Sequence, residues 1–298
     1  MGRWRQIRPE LRGILLVVGG MFVLAIMDAF NKSLAVSYPP AQIIWLRFVF
    51  SIPVVAVFIL PRYGWRILKT RRPGLQLLRS VMFAVQMTIA ISVFAVMPLA
   101  DVHALLATTP LFVTALSFPI LGERVGRMRW IAVAIGFFGM LVIVRPGFVD
   151  PEPATFLALV AAFMFAIIQF ITRVAARADG AITTLALQIL GVSLVLTLAA
   201  PFIAVPIALA DIPAFIAIAL LGALGHFCLI AALSLAPAVV IQPFTYSILI
   251  YATIIGYLVF GDLPGPMTVI GGLIIASAGI FALRHEQRQS RLARANPT

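Results

Sequence analysis

Charged side chains are scarce in this chain. They make up 11% of its 298 residues, against about 25% in an ordinary soluble protein. Acids are scarcer still, with 10 Asp and Glu in all. A single cysteine, Cys228, cannot form an internal disulfide, which excludes a secreted disulfide scaffold. Three histidines and one thiol supply no cluster of metal-ligating residues, and no metal or other cofactor is expected. What fills the chain instead is apolar: 62% hydrophobic residues, with a mean hydropathy of +1.11. A soluble domain of this length cannot bury that much apolar surface in one core, because surface grows too slowly with mass. Cytosolic enzymes and disordered chains are excluded with it. Cys228, inside an apolar run, reads as a small buried hydrophobe.

The apolar residues fall into runs of membrane-crossing length. A hydrocarbon core about 30 Å thick takes about 20 residues of helix. Breaks at Pro, Gly or charge place spans near 11–35, 41–60, 74–97, 100–121, 129–145, 154–174, 181–201, 213–235, 238–260 and 266–284. The first run follows arginines, but it is too long for a signal peptide and reads as the first span. Continuous runs, rather than alternating ones, predict helices and not a barrel. The fold class is therefore all-α integral membrane, with ten transmembrane helices.

The net charge of +12 would point to nucleic acid in a soluble protein. Its distribution says otherwise. Of 22 Lys and Arg, 19 fall at the N-terminus, in or beside the even-numbered loops, or at the C-terminus. Asp101, Asp150, Glu152, Asp211 and Asp262 fall on the opposite side. The positive-inside rule then predicts a multi-pass membrane protein with both termini cytoplasmic. The basic residues then meet the lipid bilayer's anionic heads, and no nucleic-acid partner is expected.

A shift of 139 residues superposes Pro98 on Pro237, Gly122-Glu123 on Gly261-Asp262, Met128 on Met267, Ile131 on Ile270, Ile135 on Ile274 and Arg145 on Arg284. The reading is two five-span repeats, 1–150 and 151–298. An odd span number makes the second inverted relative to the first. Such repeats are found in secondary transporters with a solute site near the midplane.

At these residues the chain resembles the drug/metabolite transporter superfamily, EamA type, built of five plus five helices. The matching pieces are Trp45-Leu46-Arg47-Phe48, Ala107-Thr108-Thr109-Pro110-Leu111-Phe112 and Leu121-Gly122-Glu123-Arg124, followed by Trp130, Gly136 and Gly139. The second copy ends Phe260-Gly261-Asp262, with Asp where the family usually has Glu. Within the family the chain is most similar to the YddG-type amino-acid exporters. The resemblance implies export of small metabolites by alternating access around a central cavity.

The residues themselves mark two places. Asp28 and Lys32 share a face of span 1, and Arg47 lies at a similar depth in span 2. Buried charge demands a partner, so a cluster is predicted, either a structural bridge or an outer gate that recognises a substrate carboxylate. At the midplane, Thr108 and Thr109 precede Pro110, and Tyr246 and Ser247 follow Pro243. Proline frees a carbonyl, so both helices are expected to open there. Either the hydroxyls bond their own backbone or they line a cavity with Phe83, Gln86, Phe165, Gln169 and His226. His103 and Gln242, repeat partners near opposite faces, are gate positions or satisfied caps. The glycines of spans 5 and 10 fit close helix packing, in a monomer or a weak homodimer.

The expected function is a secondary transporter exporting small metabolites, amino acids including aromatic ones first. Drugs or nucleosides are the alternative cargo. A membrane-embedded lipid-modifying enzyme is a third reading, but no clustered acid/base pair supports it; no catalytic residue is assigned.

Overall fold

The structure, a computed structural model, describes residues 8–121, 127–145, 153–235, 241 and 244–295. Among the described residues all regular structure is helical. The α-helices are α1 (Pro9–Leu34), α2 (Pro40–Val54), α3 (Pro73–Val96), α4 (Leu99–Leu106), α5 (Thr109–Leu121), α6 (Arg127–Val144), α7 (Pro153–Asp179), α8 (Ala181–Ile203), α9 (Ile212–Leu235), α10 (Ser247–Ile255) and α11 (Pro266–Ala295). Proline opens many of them, at a position where the missing N–H is not needed. A wide π turn, Val55–Ile59, carries α2 on to Tyr63. Gly180 alone separates α7 from α8, and its φ of +86° is a conformation that favours glycine.

Seven segments are long and apolar enough to cross a bilayer, Pro40–Tyr63 and Leu99–Leu116 among them. Trp130–Val144, Ser247–Phe260 and Pro266–Phe281 are shorter apolar helices. This is a multi-pass membrane protein, as the composition required.

The chain forms two compact units, neither coinciding with a half of the sequence. Unit 1 comprises Met1–Ile26, Pro98–Thr155 and Leu224–Thr298. In it α6 lies along α11, and α10 packs on α4. A Cβ on Gly139 would fall 2.9 Å from the Gly271 carbonyl oxygen, so the α6–α11 approach needs a hydrogen there. Val17, Met21, Ala232 and Ile241 form one of its buried clusters.

Unit 2 comprises Met27–Met97 and Phe156–Ala223, with α8 packed on both α2 and α3. Polar clamps tie its two ends. At one, Gln42 donates Nε2–H to the Val205 carbonyl and accepts the Val205 N–H, both at 2.9 Å. Tyr38 donates to Asp211 at 2.6 Å, and that bond holds the phenol above its ordinary pKa. At the other end, Asp179 accepts from Thr70, the Arg71 N–H and Gln76.

Candidate functional site

In unit 1 the helix breaks anticipated at the prolines are present. Helix α4 stops at Leu106, residues 107–108 form a turn, and α5 starts at Thr109. Tyr246 is the turn residue before α10. Ala107 (φ −64°, ψ −9°) and Tyr246 (φ −65°, ψ −11°), 139 residues apart, have nearly the same backbone conformation. Pro110 offers no N–H, so the α4 helix cannot run on through it with its hydrogen bonds intact.

The hydroxyls at the two breaks behave differently. Thr108, 1% exposed, donates to the Leu105 carbonyl at 2.6 Å; here the backbone takes the side chain. Thr109 is buried beside it. Ser247 carries a buried Oγ without a hydrogen-bond partner among the described residues. The Tyr246 hydroxyl lies against Gly279, where a Cβ would collide with it. His103 is buried one turn before the first break, its carbonyl accepting the Ala107 N–H at 2.9 Å. Gln242, with Pro243 and Glu123, lies outside the described residues.

Unit 2 holds the charge cluster. Asp28 and Arg47 are both buried, at 8% and 5% exposure, and the Asp28 charge acts on the guanidinium. Asn31, fully buried and absent from the expected set, donates Nδ2–H to Asp28 Oδ1 at 3.2 Å. A Cβ on Gly222 would fall 2.9 Å from Arg47 Nη2, so this glycine makes room for the guanidinium. Arg47 Nη1 has no hydrogen-bond partner among the described residues. Lys32 donates to the Met97 carbonyl at 3.0 Å and so closes the C-terminal end of α3.

Phe83 stacks edge-on against Phe48, ring centroids 5.8 Å apart. One turn on, Gln86 is buried, and its Oε1 has no hydrogen-bond partner among the described residues. Phe165 and Gln169 stand at i+7 and i+11 from Ala158 on α7, a face that also buries Ala162 and Ala166. Both are nevertheless exposed. His226 repeats this on α9: it stands at i+4, i+7 and i+11 from the buried Gly222, Ala219 and Phe215 and is itself exposed.

One side chain carries no mark in the sequence beyond its place among the basic residues beside an even-numbered loop. Arg79 is buried in unit 2, donating to Gln188 Oε1 and the Thr184 carbonyl. A basic residue well inside the start of an apolar run, rather than in the loop, was the available signal.

Apolar helices with internal breaks, a buried charge cluster and accessible polar positions on otherwise buried faces define a polytopic solute carrier. The chain belongs to the EamA-like transporter family, whose description matches residues 11–145 and again 153–284. It is 27% identical over 290 residues to an S-adenosylmethionine uptake transporter of Rickettsia prowazekii, covering 95% of this chain and 96% of that one. It is 31% identical over 247 residues to a riboflavin transporter of Rhizobium johnstonii (82% and 80% covered). To a pseudopaline exporter of Pseudomonas aeruginosa it is 26% identical over 284 residues (91% and 96%). A protein of known crystal structure shares the fold, with a TM-score of 0.63 and 15% identity over 95% of this chain and 99% of that one. These relatives support the family and metabolite transport; the narrower likeness to amino-acid exporters does not rest on them.

Proposed function

We propose that the protein exports small metabolites across the bacterial inner membrane by alternating access, with amino acids, aromatic ones included, as the leading cargo. Ten spans as two inverted repeats with both termini cytoplasmic complete the reading, and the two matches of one family description support the repeat. The observation that carries it is the pair of accessible polar side chains deep in apolar helices. Gln169 is about 15 Å from the end of α7 and His226 about 14 Å from the end of α9, so both lie near mid-bilayer. A glutamine or imidazole on a face otherwise buried against protein borders water rather than lipid. The residues proposed to line the solute path are Phe83, Gln86, Phe165 and Gln169 in unit 2 and Thr109, His226, Tyr246 and Ser247 in unit 1; Thr108 instead bonds its own backbone.

The names of the relatives span uptake and export. Export here is favoured by the resemblance in the sequence alone. S-adenosylmethionine, itself an amino-acid derivative carrying an aromatic base, is chemically near the proposed cargo. Drugs or nucleosides remain the alternative cargo.

The test is flux of labelled phenylalanine, glutamine and uridine in sealed proteoliposomes, with and without a pH gradient. Amino-acid flux is expected, and Gln169→Leu should lower it about tenfold, the loss of one well-placed polar contact. Uridine flux with no amino-acid flux overturns the cargo assignment; no flux of any solute overturns transport.

A further inference from the structure

In unit 2 a buried guanidinium is hydrogen-bonded, among the described residues, to neutral acceptors alone. Arg79 lies about 9 Å along α3 from Pro73 and is 1% exposed, among the largest fully buried side chains. Its Nη1 donates to Gln188 Oε1 at 2.6 Å and its Nη2 to the Thr184 carbonyl at 2.5 Å. Both acceptors are neutral. The Nε–H has no partner among the described residues, and neither has Gln76 Oε1, three residues earlier on the same side of α3.

The acids of unit 2 are Asp28, Asp179 and Asp211. Asp28 accepts from Asn31 and acts on Arg47; Asp179 is bound by Thr70, Arg71 and Gln76; Asp211 is bound by Tyr38. None bonds Arg79. A guanidinium stays charged in proteins, and burying a cation without an anion is unfavourable. If Arg79 served only to clamp α3 to α8, glutamate at position 188 would make the stronger bond. Glutamine seats the fork, and none of the three acids of unit 2 bonds the charge. In a low-dielectric interior such a charge acts over several ångströms, well beyond contact.

We propose that Arg79 is a selectivity charge: it draws a solute's anionic group, carboxylate or phosphate, toward unit 2 and favours anions and zwitterions over cations. The role rests on the transport reading above and adds to it which group of the solute is recognised.

Two substitutions at one position test it. Gln188→Glu places a carboxylate on the Arg79 fork; Gln188→Leu removes the acceptor and adds no charge. Full-length protein in sealed proteoliposomes is assayed with two matched pairs, phenylalanine and its amide, and ribose 5-phosphate and ribose. The wild type is expected to move the anion-bearing member of at least one pair about tenfold faster; which pair responds tells carboxylate from phosphate. Gln188→Glu should abolish that preference and raise the melting temperature, while Gln188→Leu keeps the preference at a lower rate. No preference in the wild type, a preference untouched by Gln188→Glu, or equal losses in both variants would overturn the role and leave transport standing. Failure of the transport reading shows differently, as no flux of any solute in any variant, and overturns this role too.

Discussion

Arg47 is held by what its neighbours lack as much as by what they offer. Gly222 contributes no Cβ, and the space this leaves is filled by the guanidinium, whose charge Asp28 opposes. Removing either condition strands a buried cation, at about 3–5 kcal/mol for loss of its charge partner and about 1–3 kcal/mol for overpacking. Asp28→Asn and Gly222→Leu are therefore both expected to lower the detergent melting temperature by several degrees, Asp28→Asn more. A melting temperature unchanged in both would remove the structural bridge and leave the gate reading. The clustering of Asp28 and Arg47 was legible in advance, because charges at one depth in lipid must find each other. Asn31 was not, since an amide one turn from an acid has no pattern of its own. Nor was Arg79: topology rules count a basic residue near a loop and say nothing of which way it turns.

At the scale of the helix, the two breaks are the legible part of the site. Pro110 and the 139-residue shift place one break at Ala107 and the other at Tyr246, and the backbone angles agree at those positions. The local chemistry of each hydroxyl was beyond sequence: Thr108 turns to its own helix, while the Ser247 oxygen has no partner among the described residues. Pro110→Ala restores an N–H that can bond the Leu106 carbonyl and join α4 to α5. We expect stability in detergent to hold or rise by about 1 kcal/mol while flux falls several-fold. Equal flux would mean that the break at Ala107 is incidental to transport. The clamps of unit 2 were out of reach for a different reason. Gln42 and Val205 are 163 residues apart, and an amide side chain pairing with one exposed peptide group leaves no periodicity to read.

For the whole molecule, the scarcity of acids and the skewed basic residues predict which loops face the cytoplasm. Val36, 82% exposed between α1 and α2, and Arg66, exposed beyond α2, lie on opposite sides under the positive-inside rule. In a Cys228→Ala background each can carry the only thiol. An impermeant maleimide on intact cells is expected to label Val36→Cys and to reach Arg66→Cys only after lysis; the reverse pattern would invert the topology. The division of the chain into units was not legible, because the proposed repeat runs along the sequence and packing does not. Each unit takes helices from both halves, and α1 and α9 each pass from one unit into the other. The consequence concerns inheritance. A gene cut between Arg145 and Pro153 would encode two polypeptides, and neither would hold all the helices of even one unit. Neither half holds a complete unit, so under the proposed repeat a half-length forebear would have worked only in pairs.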